Sequence, residues 1–177
     1  STVNLTAGKL ARVGFINIML TSDIVFLLYL ALNTYHINTK QKVRHFLAQC
    51  MKEIDYGNTL TEYTYIPGIG NSYSYTPYCG AGLLQLTHYG NYVQYKNYKM
   101  DNKIEIPGVY ATQHVAVTYP ADSAGWYWDV CRDLNNTINW SNTVAQICQD
   151  LTAAIYGSTS DFAPRWANYN AIASVLL

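Results

Sequence analysis

TKQKVRHFLAQCMKE, Thr39 to Glu53, is the stretch on which the fold reading turns. Thr39, behind Asn38, supplies a short hydroxyl suited to accept the first free N–H groups of a helix. Val43, Phe46, Leu47 and Cys50, with Ile54 just beyond, recur at three- and four-residue spacing. That spacing gathers them into one apolar stripe and predicts a helix over 40–54. Glu53 falls at the end of this helix beside the stripe, where partial burial would raise its pKa.

Upstream, Leu5-Thr6 ahead of Ala7 to Val13 predicts a capped short helix, and Ser22-Asp23 caps a second helix through Leu32. Its apolar run, Ile24 to Leu32, is about half of what a bilayer-spanning helix needs, so no membrane span is expected. Downstream, from Tyr56 to Tyr78, the period becomes two. Thr61, Tyr63 and Tyr65 alternate with Glu62 and Thr64, Pro67 to Asn71 turn, and Tyr73 and Tyr75 follow, which predicts a β-hairpin. Gly80-Ala81-Gly82 then breaks the chain, Asn91 to Tyr95 reads as a short helix, and Lys96 to Pro107 as polar loop. Helical patterns return over Thr112 to Thr118, over Ala124 to Leu134 behind Asp122-Ser123, from a Ser141-Asn142 cap to Ile155, and from near Pro164 to the end. The expected class is α+β: a single domain, 1–177, mainly helical, with a small hairpin to one side.

Half of the residues are apolar and 12% charged, with 11 basic against 11 acidic side chains, which excludes a disordered chain and a general nucleic-acid binder. Tyrosine is abundant, with 17 copies, many between Tyr56 and Tyr98 among Asn, Ser and Gly. A flat apolar face with a polar tip suits sugar rings, although ordinary strand tyrosines read the same way. Cys50, Cys79, Cys131 and Cys148 lack zinc-ligand spacing, and neither metal nor cofactor is expected. An antiparallel helix pair would let Cys131 and Cys148 form a disulfide, with Cys50 a buried thiol or the alternative partner of Cys131. The sequons at Asn4, Asn135 and Asn139 suit secretion. The opening STVNLTAGK carries no signal-peptide pattern. The expectation is a monomer that is secreted or delivered to the bacterial cell wall.

The chain has three glutamates, Glu53, Glu62 and Glu105. A helix-end Glu53 facing a hairpin Glu62 would form a cleft with a carboxyl on each wall. Glycosidic cleavage uses such a pair, one protonated and one ionised. Periodicity alone favours a plainer reading, in which Glu53 pairs with Lys52 and Glu62 is a solvated strand residue.

Five segments in order carry a resemblance that changes this balance. Thr39 to Glu53 resembles the signature of glycoside hydrolase family 19, the chitinase and endolysin type of the lysozyme-like superfamily, in which a helix containing F-L-A-Q ends at the catalytic acid. Glu62 falls where the endolysin branch places its second carboxylate. YCGAGLLQLTHYGNY, Tyr78 to Tyr92, resembles the family's G-R-G-x-x-Q-L-T-x-x-x-N-Y. AGWYWDVCRDLN, Ala124 to Asn135, resembles A-x-W-F-W-x-x-x-x-L-N. TAAIYGS, Thr152 to Ser158, and Arg165 to Tyr169 match T-x-x-I-N-G-G and R-x-x-x-Y.

The resemblance implies Glu53 as general acid, Glu62 as general base and Thr87 as a hydroxyl steadying the attacking water. It implies Gln85, Asn91, Tyr92 and Tyr156 at sugar-binding positions. Trp126 and Trp128 read as core, and His36, His45, His88 and His114 receive no role. The departures are Lys52 for His, Ile54-Asp55 for Ser/Thr-Gly, Ala81 for Arg and Tyr156 for Asn, which points to altered subsites. The implied partner is a peptidoglycan glycan strand, cut between N-acetylmuramic acid and N-acetylglucosamine. Chitin or chitooligosaccharide hydrolysis, lytic transglycosylation by Glu53 alone, and a non-catalytic wall-binding module are the alternatives.

Overall fold

The structure is a computed structural model that describes residues 4–62, 78–105 and 109–176. Its helices are α1 (Ala7–Val13), α2 (Ser22–Thr34), α3 (Lys40–Glu53), α4 (Tyr89–Lys99), α5 (Val109–Thr118), α6 (Asp122–Trp126), α7 (Leu134–Thr137), α8 (Val144–Tyr156) and α9 (Phe162–Ala173). No described helix is long and apolar enough to cross a membrane.

α3 runs through the centre and packs most extensively on α9, with α8 beside both. Every side chain from His45 to Met51 is buried, so the predicted stripe widens to nearly the whole helix circumference. Its N-terminus is fixed by Thr39 Oγ1, which accepts from Lys42 N at 3.1 Å. Phe46 meets Trp128 edge to face at 5.4 Å, and His45 stacks on Tyr169 of α9 at 4.2 Å. Burying each large apolar side chain contributes about 1.5–3 kcal/mol, so this seam sets where Glu53 emerges.

The other boundaries follow local chemistry. Thr6 caps α1 as expected, but Thr21 rather than Ser22-Asp23 caps α2, and Thr143 rather than Ser141-Asn142 caps α8. α4 continues through Lys99 and a 3-10 turn follows at Asn102–Glu105, where polar loop was expected. The cause is pairing along this segment: Lys96 bridges to Glu105, and Tyr78 and Tyr89 donate to Glu105 oxygens. α9 begins at Phe162, just ahead of Pro164.

The helix expected over Ala124 to Leu134 divides into α6, a π-helical turn at Tyr127–Cys131, and α7. Trp126 and Trp128 are both core residues, on opposite sides: Trp126 packs on Tyr95 and Tyr98, Trp128 on Phe46 and Trp140. Asp133, at φ 50°, separates the π-helical turn from α7.

The described residues are mainly helical. Extended pairing among them is confined to isolated antiparallel bridges, Thr61 with Ala81 and Ala81 with Leu86. Tyr63, Tyr65, Tyr73 and Tyr75 of the expected hairpin lie outside the described residues. All four cysteines are free thiols, which corrects the expected Cys131 to Cys148 bridge. Cys148 is fully buried in α8, whereas the Cys131 sulfur turns toward Asn91 Oδ1, 4.0 Å away.

Candidate active site

α3 delivers Glu53 to a cleft of about 940 Å³. Facing it are Thr59 to Glu62 and the loop from Leu84 to Asn91, while Tyr127, Arg132 and the C-terminal end of α8 close the remaining side.

Glu53 is not paired with Lys52. Its Oε1 accepts from Arg165 Nη2 at 2.8 Å, and Arg165 is 1% exposed against 18% for the carboxyl. Each nitrogen of the guanidinium has a partner: Nη1 donates to Gln49 Oε1 at 2.7 Å and Nε to Asp161 Oδ2 at 3.0 Å. The Tyr156 ring lies under it, 5.3 Å from centroid to guanidinium carbon. Gln49 is one turn ahead of Glu53 on α3, while Asp161 and Arg165 are one turn apart at the start of α9. The α3–α9 seam therefore assembles the network. Burial raises the Glu53 carboxyl above its ordinary range, Arg165 opposes that, and Asp161 behind Arg165 adds to the rise. The outcome is a carboxyl that holds its proton to higher pH than a solvated glutamate, the property required of an acid catalyst.

Glu62 is held by the opposite wall. Its N donates to Gly80 O at 2.7 Å, and its Oε2 accepts from Gly80 N at 3.1 Å. Gly82 N donates to Leu60 O at 2.7 Å, so residues 60–62 and 80–82 run side by side. Both ends of that turn are tight, and at Gly82 the backbone itself requires glycine. A Cβ at Gly80 would lie 2.5 Å from Gln85 Oε1, and Gly82 has φ 77° with Pro120 O only 2.8 Å from its Cβ position.

Thr87 lines the cleft and donates through Oγ1 to Gln85 O at 2.6 Å. With its proton committed, the oxygen presents lone pairs to an incoming water. Gln85 and Asn91 also line the cleft, but their amides are spent on the loop. Gln85 Nε2 donates to Leu60 O and Gly82 O at 3.1 and 2.9 Å, and Asn91 Nδ2 to Thr87 O at 2.9 Å. They brace the wall that carries Glu62 and Thr87.

Tyr92 corrects the expectation of a sugar-binding residue. Its ring is completely buried on the inner face of α4, and its hydroxyl donates to Cys79 O. Tyr156 ends α8, is 53% exposed and lines the cleft. His88 lines it as well. Sequence reasoning gave no role to Gln49, Asp161 or Arg165, nor to Tyr127 and Arg132. The i, i+4 pair Asp161 and Arg165 was the available signal, since opposite charges at that spacing meet on a helix. Among the described residues no three of His, Cys, Asp and Glu converge as metal ligands.

No family model and no curated protein matches this sequence. Among solved structures it is similar to chitinase C from Streptomyces griseus, with a TM-score of 0.64 and 16% identity over 97% of this chain and 76% of that one. The likeness is one of fold.

Proposed function

We propose that this chain is a lysozyme-like glycoside hydrolase that cleaves β-1,4 bonds of an amino-sugar polymer, peptidoglycan ahead of chitin. The observation that carries this reading is the buried, proton-holding Glu53 opening into a cleft whose far wall bears Glu62. The fold likeness to a chitinase supports the reaction class.

Glu53 protonates the glycosidic oxygen, while Glu62 takes a proton from a water steadied by Thr87 on the opposite face of the sugar. The bond from C1 to the leaving oxygen breaks as the water oxygen bonds to C1. Inversion follows, which requires carboxyls roughly 6.5–9.5 Å apart. Gln85 and Asn91 act as positioning residues, and Tyr156 offers a ring face to a sugar. The reaction needs no metal or cofactor, and the site of action is the bacterial cell wall.

A second reading has its own observation. Burial raises the pKa of Glu53, and a lytic transglycosylase needs one such acid alone. Mass spectrometry of sacculi and chitooligosaccharides after digestion separates the readings. A new muramic reducing end supports the proposal, and a 1,6-anhydro end supports transglycosylation. Cleavage of chitooligosaccharides alone makes it a chitinase. Binding without cleavage, unaffected by Glu53→Gln, leaves a wall-binding module.

A further inference from the structure

Arg132 lines the same cleft as Glu53 and Glu62, and it is exposed. Among the described residues the cleft lining carries this one arginine and no lysine. Arg165 stands behind the acid with every arm in use, whereas Arg132 enters no ion pair with any described residue. The Arg132 backbone is anchored, because its N donates to Tyr127 O at 2.9 Å and closes the π-helical turn. The half-buried Tyr127 phenol, pushed up by burial, is partly offset by the nearby guanidinium, which places that head beside Tyr127 on the cleft wall.

An exposed guanidinium usually needs no explanation, since the end of a helical turn attracts cations. What distinguishes Arg132 is its company. A neutral glycan entering between the two carboxyls offers a guanidinium hydroxyl and acetamide oxygens as acceptors but no opposite charge. A glycan bearing its own carboxylate would be repelled by an ionised base on the far wall unless a cation received it. Guanidinium is suited to that task because its planar fork matches a carboxylate with two parallel hydrogen bonds.

We propose that Arg132 receives a carboxylate of the bound glycan, so that the cleft selects an anionic amino-sugar chain over a neutral one. This rests on the glycosidase reading and names the substrate class within it. The carboxylate belongs either to the lactyl ether of a peptide-free muramic residue or to a stem peptide attached there.

The test uses the full chain in a Glu53→Gln background, so that ligands bind without turnover. Calorimetry is run with a peptide-free muramic acid and N-acetylglucosamine tetrasaccharide, its lactyl methyl ester, the peptide-bearing tetrasaccharide and chitotetraose. Adding Arg132→Gln is expected to lower affinity for the free-acid tetrasaccharide by about tenfold relative to chitotetraose. Arg132→Lys should recover part of that loss, and salt should shrink it. If only the peptide-bearing ligand responds, the carboxylate is that of the stem peptide. Equal losses on all ligands would make Arg132 merely structural and overturn the proposal, as would no loss on any. Failure of the parent reading is seen separately, as a chain with Glu53 intact that binds these glycans and cuts none of them.

Discussion

Arg165 Nη2 stands 2.8 Å from Glu53 Oε1, joining residues 112 apart in the chain through a guanidinium with 1% exposure. Burial alone would raise the Glu53 carboxyl further than it stands beside this guanidinium. The pair therefore sets a compromise, in which the carboxyl is proton-holding yet still able to give its proton away.

Replacing Arg165 by Met strands Glu53, Asp161 and Gln49 together. Breaking a buried pair from one side costs about 3–5 kcal/mol, and the partial exposure of both carboxyls favours the lower end. Urea unfolding at neutral pH should fall accordingly, with Arg165→Lys intermediate because it keeps the charge but not the fork. In Arg165→Lys the weakened contact should also move the basic limb of the activity profile to higher pH. An unchanged limb would remove Arg165 from control of the acid.

Asn135 links three elements. Its Nδ2 donates to Tyr35 O at 2.9 Å and Asp129 Oδ1 at 2.7 Å, and its Oδ1 accepts from Trp128 Nε1 at 3.1 Å. Asn135→Ala should cost about 1–3 kcal/mol by leaving partners unsatisfied. A glycan on Nδ2 would replace one of its two hydrogens and so remove one of these donations. Peptide mapping of protein secreted from a eukaryotic host should therefore find Asn135 unoccupied in the folded chain, although its triplet reads as an acceptor.

The helix carrying Glu53 was legible because cap, stripe and length agree within fifteen consecutive residues. Arg165 was not, because a contact spanning most of the chain is a tertiary fact that no local period encodes. Tyr92 and Tyr95, three residues apart, share one buried helical face, a spacing present in the sequence. The turn after α3 is harder. Asp55 and Tyr56 adopt φ 49° and 62° beside Gly57 at 118°, and only the glycine advertises a left-handed backbone. Their conformation is held by Asn58, which donates to Asp55 Oδ2, and by Tyr56 O, which accepts from Ile16 N. Trp126 and Trp128, two residues apart and both buried, fit a segment packed on two sides, which a one-sided helical stripe cannot express.

The opposite wall yields a kinetic prediction. Glu62→Gln removes the base, and its activity should fall by about 10²- to 10⁴-fold, the usual worth of a positioned proton acceptor. Thr87→Ala should lose less, because it only loosens the water. Azide attacks without deprotonation, so it should partly restore turnover of the Glu62 variant and yield a glycosyl azide of inverted configuration. Full activity in Glu62→Gln would exclude the two-carboxyl mechanism and favour Glu53 acting alone.

Glu53→Gln should abolish cleavage and yet stabilise the fold at neutral pH, and the two effects have one cause. In the folded chain the carboxyl pKa lies above the ordinary 4.5, burial being the largest contribution. Between 4.5 and the raised value the folded state binds more protons than the unfolded state, so stability falls as pH rises through that window. Below it both states are protonated and the contribution is fully present. Gln stays neutral at every pH and can still accept from Arg165 Nη2, so it escapes the loss. Melting curves of the two proteins should therefore converge below about pH 4.5, separate as pH rises through the window, and run parallel above it with the variant higher. Active sites commonly carry such a stability cost. If the unsubstituted protein instead gains on the variant as pH rises, the attraction of Arg165 outweighs burial. Glu53 would then be a structural carboxylate, ionised in the resting site and unable to serve as the proton donor.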